Sequence, residues 1–202
     1  MRQAESALDV LRRISVATVG TLGLIACGGP TTRHWTEDVL LDDGSTVVVE
    51  RSVAFNETSA WGGDAYNAVE TEATLAFTGD LAGLPVWSEP LMALLLYRDP
   101  TTHEWVIVAT TTSCDVWNLR GEPPTLYWEY RLGPTGWQEV PLSASSIGRK
   151  ANLLHRYQKK LGTSHITVAD REKRQSDTRI ARRFVVIQGT QQVNCQHASR
   201  GP

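Results

Sequence analysis

The chain has no apolar run long enough to cross a bilayer as a helix. Its most apolar early stretch, residues 14–24, falls well short of the roughly 20 residues such a span needs. It also lacks HExxH, a G-x-S-x-G elbow, a phosphate-binding glycine loop and paired-cysteine zinc spacing, so no named chemistry is written into a motif. Between residues 28 and 148 there is not one lysine. No internal repeat is visible. Cysteine is scarce and odd in number: Cys27, Cys114 and Cys195. What remains, with 41% hydrophobic and 21% charged residues in 202, is the composition of one globular domain.

The short apolar run has a direction. Arg2, Arg12 and Arg13 precede it, and it ends in "TLGLIACGGP", with small residues around Cys27. A basic start, a short apolar centre and small residues at the end is the layout of a secretory signal peptide. Residues 24–27, Leu-Ile-Ala-Cys, resemble the lipobox that closes the type II signal peptide of bacterial lipoproteins. That resemblance, confined to the first 27 residues, implies cleavage before Cys27 and fatty acylation, palmitate included, of Cys27 and the new amino terminus. Two or more acyl chains anchor a protein stably where one is marginal. Gly28 follows the cysteine where an inner-membrane retention signal would carry aspartate, which implies the periplasmic side of an outer membrane in a cell that has one. The body resembles, in style alone, proteobacterial lipoproteins of no assigned activity.

The resulting division is a signal peptide over 1–26, a lipidated tether over 27–36 and a single domain over 37–202. With Cys27 given to lipid, Cys114 and Cys195 form one pair for an oxidising compartment, closing a loop of about 80 residues worth roughly 4 kcal/mol in the chain-entropy model. Two buried free thiols are the competing expectation.

The body is patterned mostly with period two. Asp43-Gly44 between "EDVLL" and "STVVVERSVAF" is a strong hairpin signal, and Val47, Val49, Val53 and Phe55 share one face opposite Glu50 and Ser52. A strand is expected near 73–78. Arms at 91–97 and 105–110 around Asp99-Pro100 are apolar on both faces, and "TLYWEYRLGPTGWQEVPL" predicts a third strand pair. From Ser145 the spacing turns helical. Ile147, Ala151, Leu154, Tyr157 and Leu161 fall on one stripe, with Ser145 or Ser146 as cap and Gly162 as stop. Strand-like runs at 165–169 and 184–188 flank a charged segment. The expected class is α+β: mainly antiparallel sheet, or a small sandwich, with one amphipathic helix near the C-terminus. The seven tryptophans, Trp35, Trp61, Trp87, Trp105, Trp117, Trp128 and Trp137, read first as core filling and second as an aromatic groove.

Charge is split unevenly. Residues 28–148 carry five Arg against 17 acids, a net of −12, whereas 149–183 carry 11 Lys plus Arg against three acids, a net of +8. On the expected helix, Arg149, His155, Arg156, Lys159 and Lys160 would form a basic outer face. Such a face is either merely solvated, or paired with the acidic body, or an anion-binding surface for lipid head groups, an envelope polymer or an acidic protein. The envelope address disfavours nucleic acid. For catalysis, Cys114 with His103, His155 or His165 is a generic combination of thiol and base. No cofactor or metal is expected. The sequence therefore favours a non-catalytic binding or structural role in the envelope, accessory to a secretion or transfer machine, with a small envelope hydrolase as the alternative.

Overall fold

Odd-numbered residues from Thr31 onward alternate with short polar ones, and this alternation builds the first sheet. In the computed structural model, which describes residues 31–56, 69–111, 113–155, 164–177 and 184–190, strand β1 (Thr31–Leu40) turns into β2 (Thr46–Asn56), followed by β3 (Val69–Phe77). The turn needs Gly44, whose φ of 84° few L residues adopt, and Asp43 accepts from the backbone N–H and the hydroxyl of Ser45. Short β4 (Trp87–Glu89) completes one edge. At the other edge β9 (His165–Ile166) runs parallel to β1, giving the order β4-β3-β2-β1-β9. Residues 31–36, expected as tether, are thus the first half of β1.

The second sheet is an antiparallel meander of β5 (Met92–Arg98), β6 (Trp105–Thr110), β7 (Tyr127–Gly133) and β8 (Gly136–Val140). The three hairpins read from the sequence are all present. Helix α1 (Cys114–Leu119), capped by Ser113, links β6 to β7. Between the sheets lie Trp35, Val49, Val53, Leu75 and Trp87 from one side, and Met92, Leu96, Ile107, Trp128 and Tyr130 from the other. A second apolar cluster covers the far side of the second sheet: Leu95, Tyr97, Val106, Val108 and Tyr127 against Ala151, Phe184 and Ile187. The α+β class with mainly antiparallel sheet is what the structure has. Trp35, Trp87 and Trp128 are buried, in keeping with core filling.

The C-terminal helix is displaced from its expected position. Residues 144–155 are not helical, because their backbone groups bond elsewhere. Gly148 N–H donates to Ile187 O, Ala151 N–H to Val185 O, and Asn152 and Leu153 N–H to Leu94 O. Gly148, at φ 85°, turns the chain out of helical geometry. Ile147, expected to be buried, is 46% exposed, while Leu154 is buried as expected. The helix lies instead at α2 (Val168–Asp177), where a strand continuing to 169 was expected. Thr167 and Asp170 cap it reciprocally: Asp170 N–H donates to Thr167 Oγ1 at 3.2 Å, and Thr167 Oγ1 to Asp170 Oδ2 at 2.7 Å. Arg171 and Gln175, one turn apart and buried, dock α2 by donating to the carbonyls of Asp38, Asn152 and Leu153. Burial lowers the Arg171 pKa from its ordinary value.

Candidate functional site

The residues singled out from sequence do not converge. Arg149 is not on an outer face: its guanidinium lies 4.0 Å over the Tyr97 ring and pairs with Asp42. His155 is buried and stacks on Phe184 with ring centroids 4.4 Å apart. Arg156, Lys159, Lys160, Tyr157, Leu161, Cys27 and Cys195 lie outside the described residues. Arg149 and His155 therefore do not share a helix face, and the Arg149–Asp42 pair is of the kind expected if basic residues pair with the acidic body. Cys114 opens α1, half-buried and with its sulfur engaged rather than free.

Two buried ionic centres organise the sandwich instead. Glu37 and Arg51 fall on the inward register of β1 and β2, almost fully buried. Arg51 donates to Glu37 Oε2 at 3.0 Å, to Leu154 O at 2.7 Å and to Ala93 O at 3.0 Å, while Glu37 Oε1 accepts from Leu154 N–H. One guanidinium thus ties the first sheet, the start of β5 at Ala93 and the C-terminal segment at Leu154 together. On the far side of the second sheet, buried Glu129 accepts from Ser143 N–H, the Ser143 and Ser146 hydroxyls and Arg131 Nε. Arg131 also meets Asp99 and Glu104. Burial alone would lower the Arg131 pKa, but the surrounding carboxylates hold it above the ordinary value. Both centres are satisfied; the first is enclosed, while the second is buried at Glu129 and Asp99 and reaches the surface at Glu104.

The open polar surface is the outer face of the first sheet. The strand register lays it out as a grid. His34 lies opposite Ser52, Ser52 opposite Thr74, and Thr74 opposite Ser88; in the next row Thr36 lies opposite Glu50, and Glu50 opposite Ala76. His34, Thr36, Glu50, Ser52, Thr74, Ala76 and Ser164 line a shallow depression of about 460 Å³. Ser52 and Thr74 hydroxyls bond each other at 2.6 Å. At its rim, His165 Nε2 lies 3.2 Å from Asp38 Oδ1, and His165 Nδ1 lies 2.7 Å from Thr36 Oγ1. A proton on Nε2 suits the carboxylate and leaves Nδ1 to accept from the hydroxyl. Sequence reading placed Glu50 and Ser52 outward but missed the grouping, because alternation shows which face a residue takes and not which residue lies beside it. No group of metal-ligating side chains occurs among the described residues.

No known protein family, curated protein or solved structure matches this chain.

Proposed function

We propose that the chain is a lipid-anchored envelope lipoprotein whose open first-sheet face is a non-catalytic docking surface for a secretion or transfer assembly. The observation that carries this reading is the asymmetry of the sandwich: the second sheet is covered on both faces, while the first presents its outer face as a shallow grid rich in polar side chains that no described element covers. A shallow surface suits a macromolecular partner better than a small substrate, which needs enclosure. The lipobox-like residues 24–27 supply the anchor. Three residues lie between Cys27 and the start of β1 at Thr31, and the four Cα steps from one to the other span at most about 14 Å. An acylated Cys27 therefore holds the sheet close to the membrane, on the periplasmic side of the outer membrane in a cell that has one. Cys114 and Cys195 pair in this oxidising compartment.

Mass spectrometry of the mature protein tests the anchor: an acylated peptide beginning "CGGPTTR" is expected, with precursor accumulating in Cys27→Ser, and an unacylated mature product overturns it. A photo-crosslinker at position 34 tests the face. A discrete adduct is expected that also forms from the identified partner inward, with no such adduct from position 119 on α1.

The line from Thr36 through His165 to Asp38 supports a second reading as a small envelope hydrolase, since a hydroxyl, an imidazole and a carboxylate stand in the order that activates a nucleophile. Against it, the Thr36 hydroxyl also reaches Ser164 O as an alternative acceptor at 3.3 Å, and the surface is open to water. Hydrolysis of p-nitrophenyl acetate that is lost in both Thr36→Val and His165→Gln would favour this second reading.

A further inference from the structure

We propose that the depression on the first sheet is a socket for an arginine side chain of an extended partner segment, with Glu50 as its counter-ion. This rests on the docking reading above and names the chemistry of what docks.

Among the described side chains, the outward positions of β1 to β4 carry three formal charges, Asp38, Glu50 and Glu72, all negative, while Arg33 and Arg51 of the same strands occupy inward register positions. Two of the three carboxylates are engaged: Asp38 faces His165, and Glu72 accepts from the Ser88 hydroxyl at 2.7 Å. Glu50 is exposed, and its carboxylate bonds no other described residue. It also stands in the depression itself.

Its neighbours fit a guanidinium on an aliphatic stem. Directly across the strands are Thr36 and Ala76, and Val48 precedes it on the same face. Ala76 and the 38%-exposed Val48 offer a short apolar ledge for methylenes. The Ser52 and Thr74 oxygens lie one row away as further acceptors. A guanidinium carries five donors in a planar fork, so it can meet a carboxylate with two and leave others for hydroxyls, which an ammonium cannot do in fixed geometry. An extended segment also repeats its side chains at a spacing close to that of the rows beneath it. The net charge of −12 over residues 28–148 steers a basic partner towards this part of the chain.

The test is titration of the full lipidated chain, in mild detergent at low salt, with a capped octapeptide alternating Arg and Thr. The same peptide with citrulline for Arg is the neutral control. The arginine peptide binds, the citrulline peptide does not, and Glu50→Gln weakens binding about tenfold, the equivalent of one charge-assisted contact. Glu122→Gln, an exposed acid away from this face, leaves binding unchanged. Three results overturn the proposal: no binding by the native chain, equal binding by Glu50→Gln, or an equal loss in Glu122→Gln, which would show diffuse attraction to net charge. A crosslink from position 50 to residues 156–163 of the same chain also overturns it, by making the occupant internal. If position 34 still crosslinks a partner in Glu50→Gln while peptide binding is unaltered, the docking face stands and the arginine socket falls.

Discussion

The two sheets of this sandwich treat their outer faces in opposite ways. In the first, the outer face mixes polar residues such as His34, Thr36, Glu50, Ser52 and Thr74 with a few apolar ones, Val48 and Ala76 among them, and no described element covers it. In the second, β5 reads "MALLLYR" with only its last residue exposed, and β6 "WVIVAT" is buried from its second residue onward. Burial of that outer face is achieved by chain distant in sequence, residues 143–155 and 184–188, held by bonds rather than by a second sheet. Glu129 gathers the serines of 143–146. Asn152 completes the β5 edge like a missing strand: its Oδ1 accepts from Leu96 N–H at 2.8 Å and its Nδ2 donates to Leu96 O at 2.7 Å. The difference teaches where to look for function. The described segments of the C-terminal chain close one face with their own polar groups and leave the other available.

The largest effect is expected where the two sheets are joined. Arg51→Met strands the Glu37 carboxylate between them, and removing one partner of a buried pair costs about 3–5 kcal/mol. Replacing both, as Glu37→Leu with Arg51→Met, recovers part of that loss, because well-packed apolar groups need no counter-charge. Urea denaturation reads both. A single variant that loses under about 1 kcal/mol would mean that the pair does not hold the sheets together.

The contrast between the outer faces is tested next. Leu95→Ala on the covered face removes a fully buried side chain and costs about 2–5 kcal/mol. Glu50→Gln on the open face changes stability by no more than about 0.5 kcal/mol. Comparable losses at the two positions would show that the first sheet is covered too, and would remove the ground for a docking surface. Between these two, Asn152→Ala deletes an edge cap and a bond to Leu40 O, leaving buried strand groups unpaired at about 1–3 kcal/mol.

These elements were not equally legible in the sequence. The hairpins at Asp43-Gly44 and Asp99-Pro100 were, because turn chemistry and alternation are local signals. The buried pair was readable in principle: Glu37 and Arg51 sit at inward parity between Trp35 and Val39 and between Val49 and Val53, and an inward charge demands a partner. Helix α2 was missed because its docked side chains are Arg171 and Gln175, which leave no apolar stripe; the Thr167–Asp170 spacing was its one local mark. The helix expected over 145–161 had a stripe, but in its described part, 145–155, the backbone is taken: residues 148–151 pair with 185–187 and residues 152–153 with Leu94, a competition that no local pattern shows. The grid around Glu50 depended on strand register, and register is a property of pairs.

The smallest effect separates the two hairpin turns by pH. Asp99 closes the β5–β6 turn from a site only 4% exposed, and Asp43 closes the β1–β2 turn from the surface. Both carboxyls are held below the ordinary 3.8, Asp99 chiefly by the N–H of Thr101 and then by Thr102 and Arg131, Asp43 chiefly by the Ser45 hydroxyl. A lowered folded pKa means that the unfolded chain binds more protons around that pH, so each group stabilises the fold above about pH 4 and ceases to as pH falls through its folded value. Asn at either position can still accept from the turn N–H groups but cannot ionise. The stability gap between native chain and Asp99→Asn should therefore be constant above about pH 5 and close below about pH 4. For Asp43→Asn the gap should be smaller throughout, because solvent screens an exposed charge. Urea denaturation from pH 2 to 6 measures both. A gap for Asp99→Asn that persists at pH 2 would assign its role to shape rather than charge, and equal gaps at the two turns would mean that enclosure by the C-terminal chain adds nothing to the second sheet's electrostatics.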